Sequence, residues 1–112
     1  MEIYFHTKKW NKTCNNRVEL NKAFPTKVAD TVALRITQLK AADNLSQISH
    51  VPPIGLHKLK GSRKNQFAVW TKEKYRIVFQ CLDEDLSVIE DTEYPKEKIT
   101  KISIIEVVNY HG

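Results

Sequence analysis

Histidine, lysine, arginine and tyrosine occur in this chain in two short clusters that suit phosphodiester chemistry. The first is Leu56-His57-Lys58-Leu59-Lys60-Gly61, the second is Asn109-Tyr110-His111, and Arg76 stands between them in the run Tyr75-Arg76-Ile77-Val78-Phe79. Cutting RNA without a metal takes a base to remove the 2′-hydroxyl proton, an acid to protonate the departing 5′-oxygen, and cations to stabilise the pentacoordinate phosphorane. Imidazole titrates nearest neutrality, so His57 and His111 are the candidate acid and base. Lys60 and Arg76 are the candidate clamps on the transition state, and Tyr110 is the candidate to stack on a base or orient a phosphate. Each of these side chains also has an ordinary use as surface charge or terminal polar residue. Strand geometry adds a condition: at a period of two, His57 and Lys60 fall on opposite faces unless the chain kinks at the turn that follows.

Charge distribution points to the same partner class. The chain has 18 basic and 13 acidic residues, a net charge of +5 and a sequence pI near 9.3. Between positions 58 and 76, Lys58, Lys60, Arg63, Lys64, Lys72, Lys74 and Arg76 face Glu73 alone, a local net of +6. Between 83 and 97 the sign reverses to −6, with Asp83, Glu84, Asp85, Glu90, Asp91, Glu93 and Glu97 against Lys96. A concentrated basic segment attracts polyanions and releases counterions on binding, so nucleic acid is the leading partner, with a solvated mixed surface as the alternative. Lys58, Arg63, Lys64, Lys72, Lys74 and Asn109 are the candidate RNA contacts.

Other chemistries lack their motifs. The four histidines are 44, 7 and 54 positions apart, with no HExxH or His-x-His, so no metal site is expected. Cys14 and Cys81 make no CxxC spacing and read as two reduced, largely buried thiols. Glycines at 55, 61 and 112 form neither a P-loop nor a dinucleotide fingerprint, and no nucleophile elbow is present, so no cofactor is expected. A Ser/His/Asp arrangement stays open. The longest strictly apolar stretch, Phe67-Ala68-Val69-Trp70, is four residues, and the first nine residues contain no secretory apolar run, so the expected location is the cytoplasm.

The elements that must position these residues read as one α+β domain over 1–112. Ile3-Tyr4-Phe5 is β-prone. Arg17 to Phe24 has loose helical spacing, and from Pro25 onward Val28, Val32, Ile36 and Leu39 define an amphipathic helix, ending near Asp43-Asn44. Lys27, Asp30, Arg35 and Lys40 are expected on its more exposed faces. Residues 43–55 are a loop rich in Asn, Ser and Pro. Leu56–Lys60, Gln66–Thr71 and Tyr75–Cys81 read as strands, the last two antiparallel across the short polar hairpin Lys72-Glu73-Lys74. The acidic stretch 82–101 reads as an insertion forming a hairpin extension or a short helix near Pro95. The final run, Lys101 to His111, is a strand with Ile102, Ile104 and Val108 on one face and Ile105 and Val107 on the other. Being apolar on both faces, it should be central. Helices should pack on one face of a mainly antiparallel sheet of roughly five strands or fewer.

Over roughly residues 15–81 and 102–111, Leu56-His57-Lys58-Leu59-Lys60-Gly61, Phe67-Ala68-Val69-Trp70, Tyr75-Arg76-Ile77-Val78-Phe79 and Val107-Val108-Asn109-Tyr110-His111 resemble the HigB-type killer toxins of the RelE/ParE superfamily. That resemblance implies a RelE-like fold and a small messenger-RNA endonuclease acting in the ribosomal A site, held inactive by a HigA-like antitoxin. His57 and Lys60 match the family's LHxLKG string, Arg76 its strand arginine, and Tyr110 and His111 the end of its terminal Asp-Tyr-His. Asn109 stands in place of that Asp. An amide is no general base, so a base role of the family's Asp would fall here to His57 or His111. The acidic 82–101 segment is the second departure; it would shield the basic site, contact the antitoxin or extend a hairpin. Two other readings remain on the same fold: a non-enzymatic gyrase inhibitor as in the ParE branch, and a non-toxic binding module.

Overall fold

Short polar caps begin the first two helices. Thr7 accepts a hydrogen bond from the Trp10 amide and starts α1 (Lys8–Cys14), while Asn16 accepts from the Val18 and Glu19 amides and starts α2 (Arg17–Ala23). The computed structural model describes residues 1–91 and 93–109. Helix α1 is not anticipated by periodicity, because only Trp10 and Cys14 mark its inner face; the cap at Thr7 is its clearest local signal. Helix α3 (Thr26–Ala41) follows Pro25 and buries Val28, Ala29, Val32, Ile36 and Leu39, the stripe expected from spacing. Arg35 departs from expectation: it is 5% exposed, not on an outer face.

Five strands form one sheet in the order β1-β5-β4-β3-β2. These are β1 (Glu2–Phe5), β2 (His57–Lys58), β3 (Gln66–Trp70), β4 (Tyr75–Leu82) and β5 (Lys101–Asn109). All neighbours are antiparallel except β1 and β5, which run parallel. The α+β architecture expected from the sequence is thus observed, with the helices mostly preceding the strands. Strand β5 lies between β1 and β4, as its two apolar faces require. Strand β2 is shorter than expected, although Leu59 still donates its amide to the Gln66 carbonyl.

The two faces of β5 are not those of simple alternation. Ile102 and Ile104 turn toward the helices, but the register shifts where Glu106 opposes Val78 and Ile104 opposes Phe79, leaving Ile105 unmatched. Beyond this bulge Val107 joins the helix-side core, while Ile105 and Val108 pack with Leu59, Ala68 and Val78 on the other face. Val107 and Val108 therefore exchange the faces predicted for them.

The acidic stretch extends the β4 end and then completes the helix-side layer. Asp83 accepts amides from Asp85 and Ser87, Leu82 bridges to Val88, and the Ile89 amide donates to the Cys81 carbonyl, so the hairpin extension is present. A 3-10 turn at Lys96–Lys98 follows Pro95. Ile89, Tyr94 and Ile99 pack into the same core as α3, so this segment lies on the helix side rather than over the opposite face.

Both cysteines are free and buried. Burial pushes the Cys14 thiol up to about 11 and the Cys81 thiol up to about 12, from an ordinary 9.0. The folded state therefore holds these protons after the unfolded chain has lost them. Their contribution is present below pH 9 and is lost as pH rises through 11 to 12. Urea unfolding is expected to show stability falling by about 1 kcal/mol per pH unit per thiol above that onset, with the slope reduced in Cys81→Ala. A flat profile between pH 9 and 11 would contradict it.

Candidate nucleic-acid face

Cross-strand pairing assigns the candidate residues to faces. Arg76 pairs with Trp70 on one side and Val108 on the other, and His57 pairs with Ala68, which pairs with Val78. Val108, Ala68 and Val78 belong to the small cluster away from the helices. His57, Trp70 and Arg76 thus share the sheet face that the helices leave open.

Trp70 joins the other two. The Arg76 guanidinium carbon lies 5.3 Å from the Trp70 ring centre, and the His57 ring lies 6.4 Å from it. Arg76 Nη1 also donates to the carbonyls of Glu73 (3.3 Å) and Tyr75 (3.0 Å). The positive φ of Glu73, 57°, turns the hairpin so that its carbonyl meets the guanidinium. Partial burial lowers the Arg76 pKa from its ordinary value, yet a guanidinium remains charged at neutral pH. Nη2 and Nε have no hydrogen bond among the described residues and remain available to an anion. His57 Nδ1 lies 2.8 Å from the Gly55 carbonyl. A carbonyl only accepts, so in the neutral ring Nδ1 carries the proton and Nε2 keeps the lone pair a base needs.

Behind this face, Arg35 ties α3 to the site. Its Nε donates to the Trp70 carbonyl (2.8 Å), Nη2 to the Pro53 carbonyl (3.1 Å) and Nη1 to Gln38 Oε1 (3.0 Å). Burial lowers its pKa, since these neutral oxygens compensate desolvation only in part. The Trp70 amide in turn donates to Ile54, 2.7 Å away. Gly55 then passes directly against the indole: a Cβ there would meet Trp70 ring atoms at 2.6 to 2.9 Å, and its φ is +63°. Gly55→Ala is therefore expected to lower the melting temperature by about 8 °C, through strain and displacement of Trp70. Thermal unfolding of the purified variant checks this, and a shift within the error of the scan would contradict it.

The basic residues divide into groups. Arg63 is engaged by Glu106 (2.9 Å) and Gln66 Oε1 (3.0 Å), so its charge is compensated across the open face. Lys58 pairs with Phe67 on the helix side, its ammonium 5.6 Å from that ring, and is not brought to His57 and Arg76. Lys60, Lys64, Lys72 and Lys74 are exposed in the turns flanking β3. β2 ends at Lys58, Leu59 packs with the open-face cluster and Lys60 is extended (φ −125°, ψ 174°), so the reversal at Gly61 (φ +65°) comes after Lys60 and does not turn it onto the face of His57. Asn109 is exposed at the end of β5 and pairs with Tyr75, which packs against the helix-side core, so this candidate RNA contact is not brought to the face of His57 and Arg76. Tyr110 and His111 lie outside the described residues.

Sequence reasoning missed three residues at this site. Trp70 read as a strand filler, Gly55 as a loop glycine and Arg35 as surface charge. Only Gly55 had a usable signal, a glycine directly ahead of the LHxLKG string. Comparison with protein-family models and with curated proteins finds no match to this chain.

Proposed function

We propose that the chain is the toxin of a type II toxin–antitoxin system, a metal-independent endoribonuclease that cuts messages on the ribosome in the cytoplasm and is neutralised by a cognate antitoxin. The observation that carries this reading is the pre-set pair on the open face: Arg76 held on Trp70 and two carbonyls, and His57 held on Gly55 with Nε2 as its acceptor. On this reading His57 accepts the 2′-hydroxyl proton, Arg76 stabilises the phosphorane with help from Lys60 of the adjoining turn, and His111, outside the described residues, protonates the leaving oxygen. The donor set is cationic and imidazole rather than carboxylate, which suits direct charge stabilisation of an anionic transition state. Exposed lysines in the adjoining turns bind RNA phosphates. Among the described residues no helix is long and apolar enough to cross a membrane.

The test is controlled expression with mapping of cellular message 5′ ends, comparing wild type with His57→Gln and His111→Ala. In-frame cuts on translated messages that disappear in folded variants support the proposal. Growth arrest with intact messages and DNA damage would replace it with gyrase inhibition, and absence of arrest would leave a binding module. Ribosome binding by an inactive variant is also expected to weaken about 10²-fold between 50 and 200 mM salt, the slope of about five phosphate contacts. An affinity flat over that range would remove the lysines from the interface.

A further inference from the structure

The helix side of the sheet contains a cavity of about 270 Å³, bordered at β2 by His57 as well as Lys58. Phe67 and Cys81 come to it from β3 and β4, Leu56 from the loop before β2, and Ile89 and Ile99 from the acidic 82–101 segment. These five are buried or half-buried members of the main core. His57, Lys58, Asn65, Asp91, Tyr94 and Lys96 supply the polar lining. An apolar cavity of roughly 150 Å³ accommodates benzene, so this one has room for a ring with a short side arm.

Its charges favour an anion. The Lys58 ammonium stands 5.6 Å from the centre of the Phe67 ring, and Lys96 lines the cavity from the acidic segment, so two lysines border one largely apolar space. Both line the same cavity as the Cys81 thiol, from separate elements. Among the described residues neither lysine forms an ion pair. Asp91 offsets one of the two charges, leaving a local excess of one, and the buried thiol adds no negative charge at neutral pH.

We propose that this cavity binds a small monocarboxylate with an apolar body, the body resting on Phe67, Ile89 and Ile99 and the carboxylate between Lys58 and Lys96. The acidic 82–101 segment thereby serves as one wall of a ligand site, and His57, which borders the same cavity, is shared with the face proposed to cut RNA. A ligand of this size gains enough for a dissociation constant on the order of 1 mM or tighter.

The experiment is a titration of the full chain with 3-phenylpropionate, followed by amide NMR, with 3-phenylpropanamide as the neutral match. Saturable shifts are expected at Phe67, Cys81, Ile89 and Ile99, with the amide binding at least about fivefold more weakly. Replacing both lysines, Lys58→Gln with Lys96→Gln, should bring the acid down to the affinity of the amide while leaving the amide unchanged. Ile89→Trp fills the cavity and should abolish binding of both in a chain whose spectrum elsewhere is intact. No saturation by about 20 mM, equal binding of acid and amide, or shifts centred on Trp70 and Arg76 would each overturn the proposal.

Discussion

Under the proposed function, Arg76→Ala is expected to slow message cleavage in a reconstituted translation reaction by about 10²-fold to 10³-fold, the usual consequence of losing one donor aimed at developing charge. The guanidinium is already oriented before substrate arrives, because Trp70 supports its plane and the Glu73 and Tyr75 carbonyls take Nη1. That pre-organisation spares the transition state the reorganisation that water or a free side chain would require. Lysine keeps the charge but not the planar fork that meets both the carbonyls and a phosphate, so Arg76→Lys should recover only a minor part of the rate. Stability should change far less, by about 1 kcal/mol, since the group is partly exposed and its contact with Trp70 is a single cation–π interaction. Cleavage at the wild-type rate by Arg76→Ala would place the transition-state contact elsewhere.

The largest stability loss at the site is expected from Arg35→Met, about 3 kcal/mol by urea unfolding. Methionine fills similar length but donates nothing, so the Trp70 and Pro53 carbonyls and Gln38 Oε1 lose partners at 2.8, 3.1 and 3.0 Å. The loop before β2 and the end of β3 are both fastened through this one side chain. Under the proposed function, cleavage should therefore fall as well, although Arg35 points away from the RNA face: it is a positioning residue acting through Trp70. Arg35→Lys offers one ammonium for three divergent acceptors and should restore less than half of the loss. A loss below about 1 kcal/mol in Arg35→Met would mean that water or backbone relaxation satisfies these oxygens.

Most of the architecture was legible because its signals are local. Valine, isoleucine and leucine at helical spacing mark α3, and alternation with a polar hairpin marks β3 and β4. The apolar two-sided run of β5 foretells its place between two neighbours. Helix α1 was hidden because a seven-residue helix with two inner apolar positions has almost no periodicity to read. Arg35 was misread for a related reason: within α3 a charged residue looks like solvent-facing surface until the loop carbonyls that bury it are known.

The sequence by itself determined the fold class, the principal helix, the strand pairs joined by short turns, and the residue types able to handle a phosphodiester, since each depends on neighbours within a few positions. The tertiary structure alone decided which of those residues meet. The bulge at Ile105 exchanges the faces of Val107 and Val108, the Arg63–Glu106 ion pair withdraws one cation, and Lys58 turns to the helix side. Gly55, Trp70 and Arg35, far apart in the chain, converge to hold His57 and Arg76 together. Contacts between distant segments depend on register and on unsatisfied buried carbonyls, and neither quantity exists until the chain has folded.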